Sequence, residues 1–293
     1  MRVLFWLLSW VPLPVLYGVS TLLTWLVFYV LPYRKKIVLA NLAHCFPEKT
    51  RQERYRIAKA SYQNLMDIVV ETIKAYRLPA DTLLARVQCE AEDERAYHYL
   101  QSQTPIICLA AHQANWEWLL LAGCARYNVP FDAIYKPLKN KNADDVMFGI
   151  RSRFGAKPII AKKLLKTMAR RRKEFRVYTL VADQTPGNAN NRIWFECFGV
   201  DTAFQGGIEK LARKFNYPVT FVQVHRVKRG HYRYQFKLIA EPPYDDLQEH
   251  DIMRRYVALF EQQVNDYPEQ WLWSNRRWKH TRPKDTLLYS KQT

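Results

Sequence analysis

The stretch Ile106-Ile107-Cys108-Leu109-Ala110-Ala111-His112-Gln113-Ala114-Asn115-Trp116-Glu117-Trp118 sets the architecture of this chain. Six apolar residues in a row read as a strand buried on both faces, the kind found in parallel sheets covered by helices on either side. The texture then changes within four positions. Asn115 is a good N-cap, Glu117 falls in the first helical turn where free backbone N–H groups favour an anion, and residues 119–122 continue as helix.

The same alternation recurs outward from that junction. Residues 106–111, 131–135, 157–160, 177–182, 219–224 and 232–239 read as strands, with helical stretches at 116–127, 142–154, 162–173 and 207–216 between them and a longer helix at 51–77. This predicts an α/β fold: a single three-layer domain with a largely parallel central sheet flanked by helices. The 293 residues contain no repeat, low-complexity tract or Ser/Gly linker, so one domain is expected over residues 37–293.

Residues 1–36 differ from the rest. No charged residue occurs from Val3 to Tyr33, and that length exceeds the roughly 20 residues an α-helix needs to cross a bilayer. Pro12 and Pro14 interrupt the run, which puts the span at 15–31 with 5–11 lying in the interface. Trp6, Trp10, Tyr29 and Tyr33 at the two ends suit an interfacial belt. The run is longer than a signal-peptide core and has no small-x-small cleavage site before Arg34, which favours a retained N-terminal membrane-anchoring helix. A buried core helix is the alternative. Arg34-Lys35-Lys36 directly after the span predicts that everything downstream lies on the cytoplasmic side.

Charge narrows the partners. The chain carries 45 Lys and Arg against 27 Asp and Glu, a formal +18, and +14 of that lies beyond residue 36. Nucleic acid, an anionic membrane and a phosphorylated substrate all fit such a balance. The run Lys162–Lys173 holds seven basic residues in twelve, with Leu164, Leu165, Met168 and Ala169 expected on one face. It reads as a solvated helix face or as an electrostatic binding surface. Trp271, Trp273 and Trp278 alternate with Arg276, Arg277, Lys279 and Arg282, a composition that can stack bases or sit at a lipid interface; the anchor favours lipid and disfavours nucleic acid. Cys45, Cys89, Cys108, Cys124 and Cys197 are odd in number and lack a C-x-x-C pair, so reduced thiols are expected, with neither a disulfide framework nor a metal site.

In parallel sheets the working groups gather where strands end and helices begin. His112 lies five residues before Glu117, and across a loop-to-helix turn the carboxylate can reach the imidazole. Such a pair makes a general base able to activate an alcohol for attack on an acyl group. N-capping of α-helix dipole charge is the plain structural role for Glu117. No G-x-S-x-G elbow, P-loop or dinucleotide fingerprint competes with this reading.

His112–Glu117, written H-Q-A-N-W-E, resembles the H-x4-D/E box of membrane glycerolipid-type acyltransferases. Asn41-Leu42, Phe46-Pro47-Glu48, Ala182-Asp183-Gln184 and the block 269–279 extend the likeness to the lipid A late acyltransferases, the lauroyl/myristoyl transferase family, over nearly the whole chain and in the family's order. The resemblance implies transfer of a fatty acyl chain from an acyl carrier protein thioester to a hydroxyl of a phosphorylated lipid A precursor at the bacterial inner membrane, with no metal and no organic cofactor. It implies His112 as base and Glu117 as its orienting partner. Asn115 shapes the turn or donates to the oxyanion, and Arg151 is a functional arginine with Arg153 close enough to compete. Asp183, Gln184 and Thr202 line the substrate. Another membrane lysolipid or aminolipid acceptor stays open, as does a non-catalytic membrane-anchored scaffold. The string Phe46-Pro47-Glu48-Lys49-Thr50-Arg51 mimics a phosphate-binding box of glycerol-phosphate acyltransferases, but it precedes His112 and has Lys49 in place of glycine. It is read as a turn into the helix beginning near Arg51.

Overall fold

A strand whose successive side chains are all apolar has to be covered on both faces. In the computed structural model, which describes residues 2–91 and 93–290, residues 106–110 are covered in that way. Ile107 and Leu109 enter one apolar core while Ile106, Cys108 and Ala110 enter a second, and none is more than 3% exposed.

The strands are β1 (Val87–Ala91), β2 (Ile106–Ala110), β3 (Phe131–Tyr135), β4 (Ile159–Ile160), β5 (Val177–Val181), β6 (Arg192–Cys197), β7 (Val200–Gln205), β8 (Val219–Lys228), β9 (His231–Ala240) and β10 (Leu288–Tyr289). The α-helices are α1 (Arg2–Trp10), α2 (Leu13–Trp25), α3 (Lys35–Cys45), α4 (Arg51–Ala75), α5 (Ala80–Arg86), α6 (Glu94–Gln101), α7 (Trp116–Tyr127), α8 (Lys141–Arg151), α9 (Leu164–Arg170), α10 (Gly207–Phe215) and α11 (Asp251–Asp266). A seven-stranded sheet runs in the order β1-β9-β8-β2-β5-β3-β4. From β8 to β4 every pairing is parallel, and β9 with β1 runs the other way because β8 and β9 form a hairpin. Helices α5 to α8 pack on one face, and α9 to α11 on the other together with the small sheet β10-β6-β7. The expected three-layer α/β fold with a largely parallel sheet is therefore the observed one.

Helix α4 begins where the Phe46–Arg51 string was read as a turn. Thr50 Oγ1 accepts from the Glu53 backbone N–H at 3.2 Å and the Glu53 carboxylate accepts from the Thr50 N–H at 2.7 Å, a reciprocal cap. The helix then crosses from one apolar core (Ala58, Tyr62) to the other (Val70, Ala75).

Two local expectations change. The basic helix is shorter than 162–173, and its buried positions are Leu164, Thr167 and Met168, while Leu165 and Ala169 are exposed. A 3-10 turn at Ala161–Lys163 rotates the helix start, and Arg171 leaves the solvated set to meet Asp132. The aromatic tail does not face lipid: Trp271, Trp273 and Arg277 are at most 3% exposed, because the segment threads between the sheet and the β6–β7 hairpin, where Arg277 donates to the Ala203 carbonyl at 2.6 Å. Four of the five cysteines are buried thiols and Cys89 is partly exposed.

Helix α2 and the π-turn Leu26–Val30 form an 18-residue segment long and apolar enough to cross a bilayer by length and composition, with mean hydropathy 1.7. It does not stand apart, but lies along α4.

At the rim where β3 and β5 begin, Asp132 is fully buried. It accepts two bonds from Arg176 at 2.7 and 2.6 Å, one from Arg171 at 3.2 Å and the Lys157 N–H at 2.6 Å. Removing one partner of a buried pair leaves the other charge without compensation. Asp132→Ala is expected to lower unfolding free energy by about 3–5 kcal/mol in urea titrations. This rim lies opposite the strand ends that carry His112, so ligand binding there is expected to survive in the folded fraction.

Candidate functional site

The register of two neighbouring parallel strands builds the site. Ala110 of β2 pairs with Val181 of β5, and the Ala182 N–H donates to the Ala110 carbonyl at 3.1 Å. Two residues past each strand end, His112 and Asp183 come side by side. His112 Nδ1 lies 2.7 Å from Asp183 Oδ1, and the His112 backbone N–H donates to Asp183 Oδ2 at 3.1 Å. The indole N–H of Trp271 donates to the same Oδ2 at 2.7 Å. An ionised carboxylate only accepts, so the proton of a neutral imidazole sits on Nδ1 and Nε2 is left with its lone pair. The Gln184 side-chain amide stands 3.2 Å from that Nε2.

Burial alone would raise the Asp183 carboxyl, whose side chain is 2% exposed. Electrostatic attraction to His112 and the bonds from its ring, from Trp271 and from the His112 N–H outweigh that and hold it below the usual aspartate range. The His112 ring remains 20% exposed and meets Trp116 edge-on at 5.1 Å.

Glu117 is engaged elsewhere. Its carboxylate takes two bonds from Arg151, Nε at 2.9 Å and Nη2 at 2.5 Å, and the Trp116 indole N–H at 3.2 Å. Among the described residues no hydrogen bond or ion pair joins it to His112. The reason is local: Glu117 is already inside α7, whose first turn directs it to the end of α8, whereas the strand register delivers Asp183 to the imidazole. Burial works against the Arg151 cation, yet its bonds to Glu117 keep it firmly charged. Arg153 is used differently, capping the end of α4 through the Ala75 carbonyl. Arg151, rather than Arg153, is therefore the arginine that pairs with Glu117.

The remaining expected residues divide. Asn115 caps α7 through Oδ1, which accepts from the Trp118 N–H at 2.8 Å, and its Nδ2 donates to Glu71 at 2.5 Å. With Oδ1 and one Nδ2 hydrogen engaged and 1% exposure, it shapes the turn. That turn includes Ala114 at φ 48°, held by its N–H on the Gln270 carbonyl at 2.9 Å. Thr202 lies in β7, where its hydroxyl donates to the Val200 carbonyl at 2.9 Å and accepts the Trp278 indole at 2.8 Å.

The sequence reading passed over Glu71, one turn before the C-terminal end of α4. Its carboxyl is fully buried, flanked by the hydroxyls of Tyr17 at 2.7 Å and Tyr232 at 2.6 Å as well as by Asn115. Burial pushes its pKa up to about 7, with those three bonds opposing. The available signal was two acids one turn apart, Asp67 and Glu71, amid the apolar Ile68, Val69 and Val70.

Residues 2–280 match the profile of a family described as bacterial lipid A biosynthesis acyltransferase. Three curated relatives are similar over nearly the full length. The lipid A biosynthesis lauroyltransferase of Escherichia coli K12 is 26% identical, across 95% of this chain and 90% of the relative. The palmitoleoyltransferase of the same organism and a lipid A biosynthesis acyltransferase of Shigella flexneri are each 25% identical, across 95% of this chain and 89% of theirs.

Glu71 gives a pH test. Its folded-state value lies above the ordinary 4.5, so the folded protein holds a proton there that the unfolded chain releases. That contribution to stability is complete below pH 4.5 and is lost as pH rises to about 7. Urea unfolding of wild type should lose roughly 3 kcal/mol through this group across that window, and Glu71→Gln should lack that slope. The same slope in both proteins would contradict the assignment.

Proposed function

The chain belongs to the bacterial lipid A biosynthesis acyltransferases, and from that premise we propose that it moves a fatty acyl chain from an acyl carrier protein thioester to a hydroxyl of a phosphorylated lipid A precursor, with His112 as the general base. The reading is supported above all by one observation: a partly exposed imidazole whose Nδ1 is taken by a buried carboxylate while its Nε2 meets the Gln184 amide.

In this reading His112 Nε2 displaces the Gln184 amide contact and takes the proton of the acceptor hydroxyl as its oxygen attacks the thioester carbonyl. A C–O bond forms and the carbonyl becomes a tetrahedral oxyanion. Collapse breaks the C–S bond, and the imidazolium returns its proton to the leaving thiolate, so the products are an ester and a free carrier thiol. Asp183 keeps the productive tautomer and stabilises the imidazolium without itself taking the proton. Arg151, fixed by Glu117, has a planar guanidinium suited to the oxyanion or to an acceptor phosphate. Attack is direct, since Cys45, Cys108, Cys124 and Cys197 are buried thiols. Burial pushes Cys108, the one on β2, up to about 12 and Cys124 likewise, the opposite of an activated nucleophile.

The N-terminal residues 1–36 anchor the domain 37–293 on the cytoplasmic side of the inner membrane. The exposed basic side chains Lys162, Lys163, Lys166, Arg170, Arg172 and Lys173 form a surface complementary to an acidic carrier protein.

Mass spectrometry of lipids from cells expressing His112→Ala in place of wild type tests the reading. The expected result is loss of one acyl chain from the lipid A fraction, since base catalysis contributes roughly 10²–10⁴-fold. An unchanged lipid profile would argue for a scaffold instead, and an acyl-protein trapped at stoichiometric level would rule out direct transfer.

A further inference from the structure

The apolar N-terminal segment turns small polar side chains toward the protein, beside Leu13, Leu16 and Phe28, and leaves large apolar ones outside. Ser9, Ser20 and Thr24 are at most 5% exposed and face the protein, while Val15, Val19, Leu22 and Trp25 are 45–64% exposed. Those four positions follow the helical repeat and form one stripe along α2. A water-soluble helix buries the opposite set.

The protein side of α2 is held turn by turn. Lys74 of α4 donates to the carbonyls of Ser9 at 2.8 Å and Val11 at 3.0 Å; Tyr17 meets Glu71; Ser20 donates to Asp67 at 2.6 Å; and Phe28 packs on Tyr62 and Tyr55, each at 5.2 Å. The two helices thus run antiparallel from Ala75 back to Tyr55. From the β8–β9 hairpin, Arg229 donates to the Tyr17 carbonyl at 2.9 Å, to Thr21 at 3.1 Å and to Asp67 at 2.6 Å. Gly230 next to it sits at φ 72°, where a Cβ would collide with the Tyr17 hydroxyl.

This side-by-side packing conflicts with a bilayer crossing. If Leu13–Val30 spanned the hydrocarbon, its midpoint would lie level with Asp67, Arg226 and Arg229, and the exposed Arg56 and Lys59 of α4 would have to enter the membrane alongside it. Charged side chains and open hairpin backbone are not accommodated at that depth.

We infer that α1 and α2 lie in the plane of the membrane, with the stripe Val15, Val19, Leu22 and Trp25 sunk into one leaflet, and that the chain does not cross the bilayer. The partner is a lipid surface carrying negative charge. Residues 2–36 hold four basic side chains and no acidic one, and Arg77 stacks on the Trp10 ring at 3.5 Å, placing further positive charge beside the apolar stripe. The arrangement ties the membrane to the His112 turn through two side chains, because the Glu71 carboxyl that holds Tyr17 also holds Asn115. This topography stands independently of the acyl-transfer reading.

The test uses the full chain with the partly exposed Cys89 replaced by serine. Nitroxide labels on Val15→Cys, Val19→Cys and Leu22→Cys, in vesicles of phosphatidylethanolamine and phosphatidylglycerol, report depth from oxygen and nickel-chelate accessibility. Similar shallow depths at all three positions are expected. A depth that climbs by about 1.5 Å per residue would overturn the inference, because it marks a crossing helix. Labels that remain in water, or that couple to each other in a second copy, would overturn it as well. In sealed membrane vesicles of uniform orientation, a membrane-impermeant maleimide should reach Arg2→Cys and Lys284→Cys from the same side; access from opposite sides would contradict the inference. Neither readout depends on catalysis, so failure here leaves the proposed reaction standing.

Discussion

Three N–H groups converge on the carboxylate of Asp183, and the rest of the site depends on that convergence. One comes from the His112 ring, one from the His112 backbone and one from the Trp271 indole. They belong to the end of β2 and to the C-terminal segment, while the carboxylate belongs to the end of β5. The pairing fixes the imidazole tautomer and closes the loop between β2 and α7. It also draws Trp271 inward, and the strap behind it follows: the Leu272 N–H donates to the His112 carbonyl at 3.0 Å. A buried carboxylate with three donors loses its hydration but regains it in fixed dipoles, which is why a charge can persist at 2% exposure.

The same device recurs through the molecule. Asp132 locks the opposite rim with Arg176 and Arg171, Asp67 binds Arg226 and Arg229, and Glu71 joins α2, β9 and the α7 cap. Each hub joins elements distant in sequence, where apolar packing alone would fix distance without fixing direction. Two of these hubs lie on α4, against which the apolar N-terminal segment packs. The exposed apolar stripe of α2 and the turn that carries His112 therefore rest on neighbouring residues of α4, one turn apart.

What the sequence could supply was local. The β2 strand, the Asn115 cap and the bounds of α7 follow from composition and period, and the helix at 51–77 was nearly complete. The carboxylate on His112 did not follow: Glu117 is five residues away in the chain and Asp183 is 71, and only the parallel register of β2 with β5 brings the distant one closer. Trp271 and Trp273 read as an interfacial set because composition cannot distinguish an aromatic at a lipid surface from one in a core. The β6–β7 hairpin lies outside the strands expected from composition and period. Its turn places Phe198 and Gly199 at φ 55° and 67°, and phenylalanine is a poor signal for a left-handed position. In the N-terminal segment the mean apolarity was legible, but the inward face of serines and threonines becomes meaningful only once α4 supplies Asp67 and Gln63.

The claim on which the functional account rests is that His112 acts as base because Asp183 holds it. Steady-state transfer from an acyl carrier protein thioester to a lipid A precursor, measured for Asp183→Asn beside wild type, addresses it directly. The account predicts a fall in kcat of roughly 10²-fold or more at unchanged KM for the lipid acceptor, because the base is misoriented while the binding surface remains. A kcat equal to that of wild type would contradict it.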